Sequence, residues 1–318
     1  MFHSKIIASG SYLPEKILTN FDIEKMVDTN DEWITERTGI KERRIVREGE
    51  TTSDMAVEAC KKALKKANLK PDDIDMIVVA TTTPDLTFPS TAVIVQGKLG
   101  MTKGFAFDAQ AVCSGFIYSL AVADKFIKTG EVKRALVVGA DAISKIIDWS
   151  DRNTCILFGD GAGAVILEAT KEKNGILATS LFSDGRYVDI LKTTGGVSSS
   201  KESGVVTMAG KEVFKHAVSK MINSVMDSLN KSGLKSEDID LLIPHQANLR
   251  IINSIANRMN LPDEKVIVTI DKHANTSAAT IPLAIDYAWN KGKIKKDNIV
   301  LLTALGSGLT WGAAAIRW

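Results

Sequence analysis

Apolar and polar positions along this chain follow two alternating periods. Short strand-like runs stand near Ile6 and at Met76–Ala80, Gly104–Asp108, Arg134–Gly139 and Gly163–Glu168. Between them the spacing lengthens to that of amphipathic helices. In Ser53–Ala67, alanine and leucine occupy one stripe and lysine and glutamate the other, as in a helix laid on a sheet. Strand-like and helix-like segments succeed one another to the C-terminus, which predicts an α/β fold. Thr193–Gly204 is rich in glycine and serine and reads as a loop.

The pattern repeats. Leu-Lys-Pro-Asp-Asp-Ile-Asp-Met-Ile-Val, from Leu69, matches Leu-Lys-Ser-Glu-Asp-Ile-Asp-Leu-Leu-Ile, from Leu234, at an offset of 165 (234 − 69). Leu64 falls on Leu229 and Ala135–Val137 on Val300–Leu302 at the same offset, while Ile6–Ala8 matches Ile176–Ala178 at about 170. Ordered matches at a near-constant offset predict a duplication, with halves at 1–170 and 171–318. The offset carries Cys113 to Ala278, inside Asn275-Thr-Ser-Ala278. Two helix starts are therefore predicted to be pseudo-symmetry mates. His245 falls on Ala80, at the C-terminal end of a strand, where ligands of open α/β sheets gather.

The chain of 318 residues has 40 Lys and Arg against 38 Asp and Glu, a net charge of +2, so bulk charge calls for no nucleic-acid partner. The start, Met-Phe-His-Ser-Lys, lacks a signal-peptide pattern. No apolar run reaches the roughly 18–20 residues of a membrane helix. The three cysteines, 60, 113 and 155, are odd in number and widely spaced, against a disulfide framework or a CxxC metal site. The expectation is a soluble, cytoplasmic protein with no membrane or nucleic-acid partner.

Candidate chemistry centres on Cys113. It lies in Phe107-Asp-Ala-Gln-Ala-Val-Cys-Ser-Gly-Phe116, before the apolar helical run Gly115–Ile127. Unpaired N–H groups and the helix dipole favour an anion there, which predicts a lowered thiol pKa. Downstream lie Pro244-His-Gln-Ala-Asn248 and His273-Ala-Asn-Thr-Ser277, suggesting a cysteine nucleophile served by a histidine and an asparagine. Taken alone, Asn275 reads as a helix cap, and His245 reads equally as a structural or a site residue. Cys60 and Cys155 read as core, and mid-helix His216 as structural. Gly159-Asp-Gly-Ala-Gly-Ala164 has the wrong spacing for a dinucleotide motif and leads into strand-like Val165-Ile-Leu-Glu, so it predicts tight backbone packing. Gly306-Ser-Gly308 after Ile299–Leu305 offers a turn whose N–H groups approach a reacting oxygen. Residues Lys211, Lys215, Lys220, Arg250 and Arg258 read either as solvated helix faces or as a docking patch for an acidic partner.

These residues carry a likeness. Asp31-Glu-Trp33, Arg37-Thr-Gly39, Phe88-Pro-Ser90, Cys113-Ser-Gly115, Phe158-Gly-Asp-Gly-Ala-Gly163, Pro244-His-Gln-Ala-Asn248, Asn275-Thr-Ser277 and Thr310-Trp-Gly312 resemble, in order, the motifs of the β-ketoacyl-acyl-carrier-protein synthase III family. The resemblance spans essentially the whole chain. It implies a thiolase-like duplicated five-layer αβαβα fold and an acyltransferase that condenses an acyl-CoA primer, acetyl-CoA first, with malonyl-acyl-carrier protein in fatty acid synthesis. It implies a catalytic Cys113, His245 and Asn275, an oxyanion hole of the Cys113 and Ser307 N–H groups, and no metal or redox cofactor. It implies CoA contacts from Thr29, Trp33, Arg37, Arg152 and Asn248, with Trp33 and Arg152 around the adenine. Leu305 would line the acyl pocket, and in a homodimer Phe88 would reach toward the pocket of the other subunit. Lys215, Arg250 and Arg258 would dock the carrier protein.

The chain departs from the family pattern in two places. His273-Ala274-Asn275 stands for the usual His-Gly-Asn, tolerable if residue 274 has φ < 0. Gly306-Ser307-Gly308 stands for Gly-Gly-Gly, preceded by Leu305 in place of an aromatic, and the Ser307 side chain is expected to reshape the acyl pocket. Two other readings compete. A papain-like hydrolase shares the order Cys, His, Asn and a gap of 132 (245 − 113), but not the Cys-Gly-Ser-Cys-Trp context. A sibling condensing enzyme of polyketide or signal-molecule synthesis would carry the same triad.

Overall fold

The computed structural model describes residues 2–318. The first half builds a five-stranded sheet from β1 (His3–Tyr12), β2 (Met76–Ala80), β3 (Phe105–Ala109), β4 (Arg134–Ala142) and β5 (Asp160–Thr170), in the order β1-β5-β4-β2-β3. The second half builds β6 (Gly175–Ser183), β7 (Leu241–Pro244), β8 (Ile299–Gly306) and β9 (Thr310–Arg317), in the order β7-β8-β9-β6. The pairings match: β2 with β4 and β7 with β8 are parallel, whereas β4 with β5 and β8 with β9 are antiparallel. A bridge between Leu242 and Val266 stands where β3 stands in the first sheet. The five strand-like runs read from the first half are thus found within about two residues at most ends.

Helices of eight residues or more are α1 (Asp31–Thr38), α2 (Thr52–Ala67), α3 (Thr91–Lys98), α4 (Gly115–Thr129), α5 (Gly210–Ser232), α6 (Leu249–Arg258) and α7 (Thr280–Asn290). The side-chain period of two divides each strand between the sheet's two faces. On β2, Ile77 and Val79 face α2 and α3, while Met76 and Val78 face α4 and α7. On β8, Val300, Leu302 and Ala304 join the same central cluster, with Phe116, Leu120, Ile281 and Ile285, while Leu301 and Leu305 face α5 and α6. The layers therefore run α2/α3, sheet, α4/α7, sheet, α5/α6. Strands covered on both faces read as continuous apolar runs; truncating one such residue, Leu302→Ala, costs about 2–5 kcal/mol.

Local signals set the helix ends. Thr51 and Asp54 form a capping box before α2, which ends at Asn68 with φ +54. Glycine spacing works as read: a Cβ on Gly163 would meet Leu283 N at 2.7 Å, so this stretch is where α7 lies against β5. Cys60 and Cys155 are fully buried, and the His216 ring packs tilted against Tyr187 with centroids 4.3 Å apart.

A fourth cluster, with Ile34, Ile147, Ile156, Phe158 and Ile270, covers the ends of the sheets. Beneath it lies Arg43, wholly buried. Its Nη1 donates to Leu18 O and Asn20 Oδ1 and its Nη2 to Ile156 O, with desolvation lowering its pKa to about 10. Two short ribbons escape the sequence pattern: Lys16–Thr19 with Glu42–Ile45, and Leu191–Thr193 with Val206–Met208. The second flanks the stretch read as a loop, sharing only Thr193 with it. Among the described residues no helix is long and apolar enough to cross a membrane.

Candidate active site

Cys113 occupies the middle of a three-residue 3₁₀ turn, Val112–Ser114, that runs straight into α4. To make that turn Val112 takes φ +48, an unfavourable region for a β-branched residue. The second half repeats the device. Ser277–Ala279 is a 3₁₀ turn running into α7, and Ser277 has φ +51. Val112 and Ser277 stand 165 apart (277 − 112), the offset of the sequence repeat, and Gly115 packs against Ala278. The predicted mates do face one another.

Each turn is met by the end of a strand from the other half. Gly306, ending β8, lies so close that a Cβ would sit 2.8 Å from Cys113 N. Its mate is Asp141 (306 − 165), near the end of β4, whose Oδ2 accepts from Ala278 N at 3.1 Å. The other Asp141 oxygen gathers Thr81, Thr82 and Thr83. Ser114 Oγ lies 2.8 Å from Thr310 Oγ1, itself 2.9 Å from Ala111 O, so the loop after β8 is tied to the cysteine turn.

His245 follows β7, and its N–H donates to Thr303 O of β8 at 2.8 Å. The buried Gln246 amide holds Pro244 O and Ile267 O. His245 Nδ1 lies 2.7 Å from Thr280 Oγ1, at the first residue of α7, which leaves Nε2 for the cavity. Burial lowers the imidazole pKa to about 3, so the ring is neutral. Asn275 is clamped through its backbone, N to Leu157 O and O from Gly159 N, both 3.0 Å. Its Oδ1 accepts from Ser277 N at 2.9 Å. The residue therefore does cap its turn, and its NH₂ is the group left to donate elsewhere.

Burial pushes the Cys113 thiol up to about 12, with the Ser277 hydroxyl opposing. This overturns the lowered pKa expected at a helix start: at 6% exposure desolvation outweighs the dipole of α4. Ala274 is a second correction. Its φ is +55 with ψ −160, not the negative φ that would admit a methyl group freely, because the chain must leave the His273 turn and still pair with Leu157. The third concerns Ser307, whose side chain does not line the cavity. It turns away and donates to Leu191 O.

A cavity of about 560 Å³ opens from these groups. Cys113, His245, Asn275 and Leu305 line it together with Trp33, Arg37, Asn248 and Arg250. Gly39 ends α1 with φ +80 and lies against Leu249, where a Cβ would approach to 2.6 Å, so glycine seats α1 on α6. Asn248 Nδ2 reaches Arg37 O, and its Oδ1 caps α6 at Arg250 N. Trp33 carries the guanidinium carbons of Arg37 and Arg152 at 5.3 and 5.1 Å from its ring centre.

Besides Ser307, five predicted site residues stand outside the cavity wall. Thr29 keeps a buried, unpartnered Oγ1. Arg152 donates to Asp28 O. Phe88 is 82% exposed. Lys215 and Arg258 lie exposed on α5 and α6. His273, adjacent to Asn275 in sequence, does not reach the cavity either. Thr280, Ser277 and Asp141 went unread. Thr280 is 35 residues from His245, and only packing brings them together. The repeat offset, applied to Gly306, would have found Asp141.

Comparison with known proteins agrees with this geometry. Residues 107–185 match the family model described as 3-oxoacyl-[acyl-carrier-protein (ACP)] synthase III, and residues 229–318 match its C-terminal counterpart. The chain is 56% identical over 319 aligned positions to a beta-ketoacyl-[acyl-carrier-protein] synthase III of Wolbachia pipientis wMel, covering 100% of both chains. It is 55% identical to one of Thiobacillus denitrificans, again over 100% of both. The crystal structure of 3-oxoacyl-[acyl-carrier-protein] synthase III from Aquifex aeolicus VF5 superposes with a TM-score of 0.95 at 51% identity, covering 99% of this chain and 100% of that one. The five layers are thus the thiolase-like fold, and the chain belongs to the β-ketoacyl-[acyl-carrier-protein] synthase III family.

Proposed function

We infer that this chain is the acyltransferase that condenses an acyl-CoA primer with malonyl-acyl-carrier protein, initiating fatty acid synthesis. The observation that carries the residue roles is the meeting of Cys113, His245 and Asn275 in one cavity, from two copies of one turn and the end of β7. In the first stage Cys113 sulfur attacks the thioester carbonyl. A carbon–sulfur bond forms to Cys113, the bond to CoA breaks, and the thiol proton leaves with CoA. The Cys113 and Ser307 N–H groups hold the oxyanion; Gly306, without a side chain, leaves that side of Cys113 N open. Splitting the transfer in two lowers each barrier.

In the second stage the malonyl thioester oxygen accepts from His245 Nε2–H and the Asn275 amide. The bond to the carboxylate breaks, CO₂ leaves, and the electron pair stays on the α-carbon as an enolate. That carbon attacks the acyl-Cys113 carbonyl, the bond from that carbonyl to the Cys113 sulfur breaks, 3-oxoacyl-carrier protein leaves, and the departing thiolate takes one proton from solvent to restore the thiol. A donor placed on developing charge is worth about 2.7–4 kcal/mol. The balance closes without a redox or metal cofactor, since loss of CO₂ drives bond formation. A neutral imidazole suits a donor better than a base, and the Nδ1 contact to Thr280 keeps Nε2 directed at substrate.

The CoA adenine enters beside Trp33. Arg152 now lies over that ring, so it swings outward to admit a base, while Arg37, Thr29 and Asn248 flank the nucleotide. Arg250, with Lys215 and Arg258, docks the acidic carrier protein. Phe88, exposed on its own subunit, crosses to the acyl pocket of a partner in a homodimer. The halves at 1–170 and 171–318 are the duplicated units, and the enzyme works in the cytoplasm.

Intact-protein mass spectrometry after incubation with acetyl-, propionyl-, isobutyryl- and hexanoyl-CoA tests the reading. The expected result is one acyl group gained by the wild type and none by Cys113→Ala. No gain with any of them, or an equal gain in the mutant, overturns it.

A further inference from the structure

Ser307 stands where the resemblance places a glycine, and its hydroxyl has a job that a glycine lacks. It donates to the carbonyl of Leu191, the first residue of the Leu191–Thr193/Val206–Met208 ribbon. Backbone bonds flank the ribbon at both ends, Ala209 N to Ile190 O and Thr194 N to Val205 O. Hydrogen-bonded pairs alternate with non-bonded ones along an antiparallel pair, so Leu191 and Met208, between them, form a non-bonded pair. Two consequences follow. The Leu191 carbonyl points out of the ribbon and is free to accept Ser307 Oγ. The Leu191 and Met208 side chains share one face, and both line the cavity.

The other end of this link is the loop between β8 and β9. There the Ser307 carbonyl accepts from Thr310 Oγ1 at 3.1 Å, and Gly306 abuts the Cys113 turn. Ser307 is fixed on the catalytic side by its backbone and grips the ribbon with its side chain. Seven residues before Leu191, Asp184 and Leu309 exchange two backbone bonds of 2.8 and 3.0 Å, which tie the chain leading into the ribbon to the loop between β8 and β9. Above the ribbon, Lys201–Ser203 lie exposed at the tip. A three-residue pair is marginal by itself; Val206 packs it on the fourth cluster, and the Ser307 hydroxyl adds the polar tie between the Leu191–Met208 wall and the catalytic loop.

Resting on the function proposed above, we propose that Ser307 is a specificity-determining residue: its Oγ latches the Leu191–Met208 wall against the catalytic loop and so restricts the acyl chain that loads onto Cys113. The test is competition. Acetyl-CoA and hexanoyl-CoA are mixed with wild type, Ser307→Ala and Ser307→Thr, and the two acyl-Cys113 masses are read from one sample, so a loss of active enzyme cancels. Ser307→Ala keeps the Cβ and removes the latch. The expected hexanoyl-to-acetyl ratio rises at least about tenfold, the scale of one misjudged methylene in an apolar pocket. Ser307→Thr keeps the hydroxyl and is expected to hold the wild-type ratio. An unchanged ratio in Ser307→Ala, or an equal rise in both variants, overturns the latch. Failure of the wild type to load either acyl group would instead overturn the function on which it rests.

Discussion

At Gly139 the two halves press closely on each other next to the catalytic turn. The glycine lies in β4, beneath the turn that carries Asn275. A Cβ at this position would stand 2.2 Å from Ala278 O, 2.8 Å from Ala278 C and 3.2 Å from Pro282 Cγ. Ordinary contact begins at 3.4 Å, so Gly139→Ala forces the turn back by 1.2 Å (3.4 − 2.2). Retreat is opposed by the bond from Ala278 N to Asp141 and by sheets on both sides. Overpacking of this kind costs about 1–3 kcal/mol. With an unfolding entropy of about 2.1 cal/mol/K per residue over 318 residues, Tm falls by roughly 2–4 °C. The larger effect is on chemistry. Asn275 lies three residues before Ala278 and Thr280, the partner of His245, two after it. A displacement of about 1 Å costs on the order of 100-fold in rate. Measured as CO₂ release from malonyl-carrier protein, Gly139→Ala is expected to lose about that factor. Acylation of Cys113, on the opposite turn, suffers less. Gly97→Ala, with nothing within 4 Å of its Cβ, is the control and gains about 0.5–1 kcal/mol. The reasoning fails if Gly139→Ala keeps its Tm and its decarboxylation rate, because a carbonyl at that distance leaves no other way out.

Two further outcomes follow from the electrostatics. With its pKa raised to about 12 by burial, Cys113 in the ligand-free enzyme is expected to react with iodoacetamide at a rate still climbing at pH 9; a plateau near pH 7 would restore the thiolate. His245, held to about 3 against an ordinary 6.5, binds fewer protons folded than unfolded across that window. Stability therefore rises with pH from about 3 to 6.5, and decarboxylation shows no histidine limb above pH 5. Thr280→Val leaves Nδ1 buried without its partner and is expected to lower decarboxylation more than acylation, with Thr280→Ser restoring it; an equal loss in both steps would make Thr280 merely structural.

Much of this was legible in the chain because the repeat is a physical constraint. Strands covered on both faces show as apolar runs, and two such series at one offset can close into a pair of matching sheets. The same offset found the two catalytic turns before any geometry was known. Three things stayed hidden. The thiol pKa depends on how deep the turn lies, which local sequence does not encode. The Leu191 ribbon is three residues a side, too short for a period to register against a glycine- and serine-rich loop. Ala274 adopts a backbone region costing on the order of 1–3 kcal/mol because Asn275 must pair with Leu157 O and Gly159 N. That demand comes from a segment more than 110 residues away in sequence.

Asp141 has a meaning beyond holding a loop. By the pseudo-twofold relation, Ala278 N corresponds to Cys113 N (278 − 165) and the Asp141 carboxylate to the empty space beside Gly306. In one half, then, the amide at the head of the turn is filled by a carboxylate oxygen at 3.1 Å; in the other the same amide is left open. In the chemistry proposed above, the Asp141 oxygen holds at Ala278 N the place that the oxyanion takes at Cys113 N. The two matching amides differ by one side chain, an aspartate that fills one and a glycine that leaves the other open. One chain with two matching halves can carry that difference, which an assembly of identical subunits cannot.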